Sequence, residues 1–432
     1  MRIPVEIAGK QIASYVLVSM MIGACADVEP MTDESEQDVL VEELFDRLPN
    51  NLPLPNEHGF AATFAADGDV ALDNAFFTPQ GTNGRHCGTC HAPELGWSTT
   101  GAAVTAMFLA TGGLHPIFAN NLDTDTPSAD MSTVQARWSA TTMLRQGKFA
   151  RKVGLPEVRD YDLVAIADPF GVSTPAKLSW FRRPMPTANL RNHIVHWDSV
   201  MTVGTDLHAG LMKQVRSNIT AAQQGPQASD AVVEEIATYE SQISNAQLIV
   251  RGVGRLDADG AKGGPQHAAA QSLVAGRFDL YDAWKNSANA RRRQIWRGQE
   301  VFNNVNPASG RRCSGCHNAA NNGLSVSGGM FDIGASRPEI AKPDMAVFTF
   351  KSRTTGAELR TTDPGLGLRD GKFADLNKFK TPTLRGLAAR APYFHGGTAD
   401  TLEDVVHHYE NALGFNFTAA EEADLVAFLK AL

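Results

Sequence analysis

Cysteine is scarce in this chain of 432 residues, five in all, too few for the disulfide framework of a small secreted scaffold. Positive charge is not in excess either. Lys and Arg number 39 against 47 Asp and Glu, a formal net charge of -8. That balance excludes the basic field of a nucleic-acid binder and gives the chain no electrostatic hold on an anionic membrane. Long apolar runs are missing save one, IASYVLVSMMIGA at residues 12–24, too short for a comfortable transmembrane helix. Methionine is absent after Met345. What remains has the length for two or three domains and a substantial core.

The lone apolar run follows Arg2 and Lys10 and reads as an export signal. Its end, IGAC, resembles a bacterial lipobox with Cys25 as the lipid-bearing residue; plain cleavage after Ala24 or Ala26 is the alternative. Either outcome places the mature chain in the periplasm, in the first case anchored at Cys25. The acidic stretch that follows reads as a solvated tether. Beyond it, VLVEELFDRL has helical spacing, and residues 100–190 are rich in Gly, Thr, Asp and Pro and read as loop-dominated. SDAVVEEIATYESQISNAQLIV reads as a strong amphipathic helix, and FDLYDAWKNSANARRRQIWRGQEVFN as another or a pair. TAAEEADLVAFLKAL reads as a helix capped by Thr418.

Four of the five cysteines fall in two copies of one pattern, Cys87, Cys90, His91 and Cys313, Cys316, His317, each preceded by an aromatic residue and a polar Gly/Asn loop. On a helical turn, positions i, i+3 and i+4 share a face, so two thiols and an imidazole address one flat object. A porphyrin suits that geometry: the thiols add across its vinyl groups and the imidazole ligates iron. A pooled zinc site leaves the His at the same offset unexplained. A thioredoxin-like pair needs neither the His nor the duplication, and a disulfide across so short a loop cross-links little chain. The pattern therefore predicts two covalently bound c-type haems. Each His supplies a fifth ligand, and the sixth decides between electron transfer and reaction with a small molecule.

The paired motifs, together with FKTPTLRGLAARAPYFHGGTADTLEDVVHHY at 379–409, resemble the bacterial di-haem cytochrome c peroxidase family, including its MauG branch. The resemblance implies a mainly α fold of two cytochrome c-like haem domains with long loops and a large insertion in the first. The expected division is signal 1–25, tether and first helix 26–58, N-terminal domain 59–280 with the peroxide-reacting haem, and C-terminal domain 281–432 with the electron-transfer haem. It implies hydrogen peroxide as oxidant and a small redox protein or another donor as partner. A di-haem electron carrier without peroxidase activity is the alternative.

Carried over residue by residue, the resemblance makes Trp197 the bridge between haems, with Asp198 its neighbour and Ser199 where Gly is usual. Tyr409, fourteen residues after His395, stands at the sixth-ligand position of the second haem. There the peroxidases have Met and the MauG branch has Tyr. Met330 and Met345 match nothing in the pattern, and His407 and His408 are closer rivals. Gln214 matches the distal Gln, whereas the catalytic Glu of the family falls on Gln224. Glu234, Glu235 and His208 are candidates for a displaced acid, and His193, His196 and His115 for a resting sixth ligand. The resemblance also implies one calcium ion on the carbonyls of Arg390 and Pro392 and an Asn side chain, but that third position is Pro184.

Overall fold

The computed structural model describes residues 46–119, 122–191, 196–269 and 273–432. The predicted signal, Cys25, the tether, most of the first predicted helix and His193 lie outside the described residues. Arg47–Leu48, the end of that helix by its spacing, instead form a short strand antiparallel to Val70–Ala71.

In the N-terminal half, strand Gly59–Ala65 lies between Leu54–Asn56 and Ile243–Val250, both antiparallel to it, and Gly254–Arg255 completes the sheet. The stretch expected as one long helix is therefore two elements, helix Asp230–Gln242 and strand Ile243–Val250. The switch falls at Ile243, where a partner strand, Gly59–Ala65, is waiting. Asn245 fixes the pairing by donating from Nδ2 to the Ala62 carbonyl (2.9 Å). Helices Leu207–Ala221 and Asp230–Gln242 close over a core that includes Phe76, Trp97, Leu211, Val215 and Ile236.

Residues 100–190 are not the loop expected. They hold helix Gly101–Thr111, capped by Thr100, and a hairpin of Phe149–Gly154 with Lys177–Arg182. Strand Tyr161–Ala167 pairs antiparallel with Val347–Ser352, which pairs in turn with Glu358–Thr361. The insertion thus adds an edge to a sheet of the C-terminal half. The fold is mixed helix and sheet, not mainly α, because these strands obtain their partners from distant sequence, a contact that local periodicity does not register.

The C-terminal half is built on helices Ala290–Asn303 and Ala419–Lys430, the second carrying a capping box between Thr418 and Glu421. They cross at Gly298, where an added Cβ would meet the Asp424 carbonyl oxygen at 1.8 Å. Gly298→Ala is expected to lower unfolding stability by about 3 kcal/mol, since overpacking at a helix crossing outweighs the gain in helix propensity of ~1 kcal/mol. Urea unfolding of the holoprotein checks this. Among the described residues, no helix is long and apolar enough to cross a membrane.

Candidate functional site

Both Cys-His motifs fold into the same local device. Cys87–Thr89 and Cys313–Gly315 form single 3-10 turns, and the amide of each following His donates to the carbonyl of the first Cys, at 3.1 Å in both copies. His91 Nδ1 donates to the Trp97 carbonyl at 3.0 Å, and His317 Nδ1 to the Gly323 carbonyl at 2.7 Å. A carbonyl only accepts, so each ring is fixed as the tautomer with Nε2 bare, the form a metal ligand requires. Both acceptors stand six residues beyond their His. Burial pushes both imidazoles down to about 4, which keeps them neutral.

The thiols follow the same logic. Burial raises all four, Cys90 and Cys313 to about 12, so none is a ready thiolate. The four are free, and among the described residues no group of three or more His, Cys, Asp or Glu is placed to hold a metal ion. The two motifs are therefore not pooled as a zinc site. Two neutral thiols and a tautomer-locked imidazole at each motif fit a covalently bound haem.

A cavity of about 250 Å³ adjoins the first motif. Cys87, Cys90, His91, Trp197 and Gln214 all line it, so five of the residues picked from sequence meet in one place. Gln214, on helix Leu207–Ala221, is buried with its Oε1 unpartnered. Trp197 donates from Nε1 to the Arg183 carbonyl (2.9 Å), accepts from the Lys380 amide (3.0 Å) and sets its ring edge-on to that of His395, with centroids 6.1 Å apart. Asp198 is buried against Arg182 at 2.6 Å, and Arg182 also holds Asp363. Ser199 adopts a left-handed φ of 59°, the conformation glycine takes without strain, which accounts for a Gly being usual there.

Several candidates fall elsewhere. His208 pairs with Glu234 on the surface (2.9 Å), and Glu235 accepts from the Ala75 amide. Neither these three nor Gln224 lines the cavity, although Gln223 does. His115 accepts from the Ile117 amide and lies outside it, whereas His196 is on its wall. Met330 accepts from the Ser199 hydroxyl through Sδ, and Met345 touches the space beside Gly396.

The carboxyl the sequence reading passed over is Glu240. It lines the cavity, is 1 % exposed, and neither of its oxygens has a hydrogen-bond partner. Burial pushes it up to about 8, so it is protonated at neutral pH. The signal was present: Glu240 lies three, four and seven residues after Ala237, Ile236 and Val233, on the buried face of its helix. The linkage sign follows. The folded-state value lies above the unfolded one, so the stability this group carries is complete below about pH 4.5 and is lost as pH rises to about 8. Glu240→Gln is therefore expected to stabilise the fold more at pH 8 than at pH 5, by about 3 kcal/mol at most. Thermal unfolding at the two pH values measures it.

At the second motif, Tyr409 is half-buried near Cys313 and Cys316, and desolvation foremost, then both thiols, raise its phenol. His408 Nε2 donates to the Ile333 carbonyl (2.8 Å) and His407 meets Glu422 (2.8 Å), so both rivals of Tyr409 are engaged elsewhere. The calcium site does not fit. The Arg390 carbonyl accepts from Arg183 (3.0 Å), and Pro184 offers no side-chain oxygen where a hard cation needs several donors.

No family model matches the chain. Among curated proteins, the cytochrome-c peroxidase IdrP2 of Denitromonas iodatirespirans is 32% identical over 175 residues, 38% of this chain and 46% of that protein. The cytochrome c551 peroxidase of Nitrosomonas europaea is 31% identical over 160 residues, 35% of this chain and 38% of that protein. The methylamine utilization protein MauG of Methylophilus methylotrophus is 26% identical over 179 residues, 38% of this chain and 44% of that protein. The chain thus matches less than half the length of each of these relatives. A solved MauG-like protein associated with microbial copper homeostasis aligns with a TM-score of 0.36 and 18% identity over 58% of this chain and 73% of its own, too distant to bear on the fold. Over a little more than a third of its length, then, the chain is similar to di-haem cytochrome c peroxidases and to MauG, and these relatives support a place in that family.

Proposed function

We propose that the chain is an exported di-haem oxidoreductase that uses hydrogen peroxide at the haem of Cys87, Cys90 and His91. The observation that supports this most is the cavity beside that motif, which holds two buried polar side chains, Gln214 and Glu240, with unpartnered oxygens. A c-type haem with an open face supplies peroxide activation there. Reducing peroxide to two waters takes two electrons and two protons, and a protonated carboxyl on the cavity wall can hold one of those protons. Gln214 offers an amide to orient the oxidant.

Cys313, Cys316 and His317 would hold the second haem, with Tyr409 beside that motif as the residue to complete its coordination, and Trp197, between the first cavity and His395, would carry electrons from one site to the other. Phenolate is a hard, anionic ligand that favours the oxidised metal, so Tyr409 supports storage of oxidising equivalents for a partner over ready delivery of electrons from a small redox protein. The proposed location is the periplasm.

The test is expression with a cytochrome c maturation system. Two haems should survive acid–acetone extraction, the ferric spectrum should carry a high-spin component, and peroxide should change it within the mixing time. A single haem or bound zinc would overturn the cofactor assignment. Two low-spin haems inert to peroxide would make the protein an electron carrier.

A further inference from the structure

Three strands of structure meet at Arg183. Its amide donates to the His395 carbonyl (2.7 Å), its guanidinium Nη2 to the Arg390 carbonyl (3.0 Å), and its own carbonyl accepts from Trp197 Nε1 (2.9 Å). Lys148, from the insertion, reaches the same spot. A Cβ built on Gly397 would meet Lys148 Cε at 3.2 Å, Pro392 Cγ at 3.3 Å and Arg183 Cδ at 3.4 Å. Both cations are buried, Lys148 to 1 % exposure and Arg183 to 4 %. The Lys148 ammonium and the Arg183 Nη1 have no hydrogen-bond partner.

We propose that Arg183 and Lys148 supply the positive charge at the junction between the two haem motifs that the family resemblance assigns to calcium, and that Arg183 is thereby a positioning residue for Trp197. The donors present speak against a metal. One of the two expected carbonyls, that of Arg390, already accepts from the guanidinium, and Pro184 replaces the expected amide. A divalent ion would also face two fixed positive charges at close range, and like charges at close range repel strongly where water is excluded. The countercharge present is meagre. Asp344 acts on Lys148 with one oxygen accepting from Gln146 and the other buried without a partner, and Asp400 is shared with Lys342, which leaves Arg183 no carboxylate of its own among these. Burial, with Arg390 adding its own repulsion, lowers the Arg183 guanidinium to about 10, still charged at neutral pH.

The consequence is a relay whose geometry does not depend on free calcium. Three hydrogen bonds on one residue tie the indole to the Arg390 and His395 backbone.

The inference rests on the two-haem reading, so covalent haem is first counted on the same preparation; a count other than two sinks that reading and not this one. The two-haem protein is then dialysed against EGTA and returned to millimolar calcium. No retained calcium and an unchanged ferric spectrum, haem potentials and rate of second-haem oxidation are expected. Calcium retained at one per chain, or a spectrum or rate that falls with EGTA and recovers with calcium, would overturn the proposal. Arg183→Gln removes the charge: it should lower the potential of the nearer haem and slow second-haem oxidation about tenfold or more. Arg183→Lys should restore the potential, because it restores the charge, yet recover only part of the rate. A merely packed side chain would leave the potential where it was. Should Arg183→Gln fail to fold, Lys148→Met gives the same test of potential, and an unchanged potential there counts against the proposal.

Discussion

Trp197→Phe should retain both haems and peroxide reaction at the first, while oxidation of the second slows by orders of magnitude. The residue touches both sides of the junction. It lines the cavity at Cys87, Cys90 and His91, and its ring meets His395 edge-on at 6.1 Å. Phenylalanine fills most of the space but is far harder to oxidise, so an electron must cross the gap in one long step where indole would allow two short ones. Loss of the indole N–H also strands the Arg183 carbonyl, which costs about 1 kcal/mol in stability and leaves the fold intact. Stopped-flow absorbance, following the two haems after one equivalent of peroxide, separates these effects. An unchanged rate at the second haem would reduce Trp197 to a packing residue.

Tyr409→Phe should be the more visible change in the spectrum. The helix Leu402–Leu413 buries Val406 and packs Val405 on the same core, the two residues that share a face with Tyr409 at offsets of three and four. Burial keeps the phenol protonated in the absence of a metal, and ferric iron is the kind of charge that reverses that preference. With phenolate removed, the second haem should keep its thioether links and rise in potential by on the order of 100 mV, a fraction of the ~0.8 V that axial ligands span. The oxidised state that outlives a peroxide pulse should vanish. If the spectrum is untouched by Tyr409→Phe and altered by His408→Ala, the second haem has two imidazole ligands.

The chemistry was more legible in the sequence than the architecture. Cys-x-x-Cys-His carries its own geometry within five residues, and one helical turn delivers it. The carbonyl locks at Trp97 and Gly323 could not be read, since a backbone acceptor leaves no mark on residue type. Strand Tyr161–Ala167 went unseen for another reason: its partner lies beyond residue 340, and its alternation is weak because much of it faces solvent. Glu240 was legible and overlooked, a carboxylate on the apolar stripe of an amphipathic helix. Arg183 and Lys148 were illegible, because nothing in the sequence brings residues from the insertion and the Trp197 segment to Pro392 and Gly397.

The pairing of Tyr161–Ala167 with Val347–Ser352 has a consequence for biogenesis. Arg353 and Asp162, which flank it as an ion pair at 2.6 Å, stand 191 residues apart, so loop closure of that span must precede the sheet. Strand Tyr161–Ala167 cannot pair until residue 352 has emerged, whereas helix Gly101–Thr111 and the pair Phe149–Gly154 with Lys177–Arg182 need nothing beyond residue 182. The first Cys-His motif waits for none of this: Cys87 packs on a cluster drawn from residues 48–243 and Cys90 on one drawn from residues 104–149. Late closure of this sheet would therefore be uncoupled from cofactor loading at the first motif: a variant that weakens the pairing should lower the stability of the finished protein and leave occupancy of Cys87 and Cys90 unchanged.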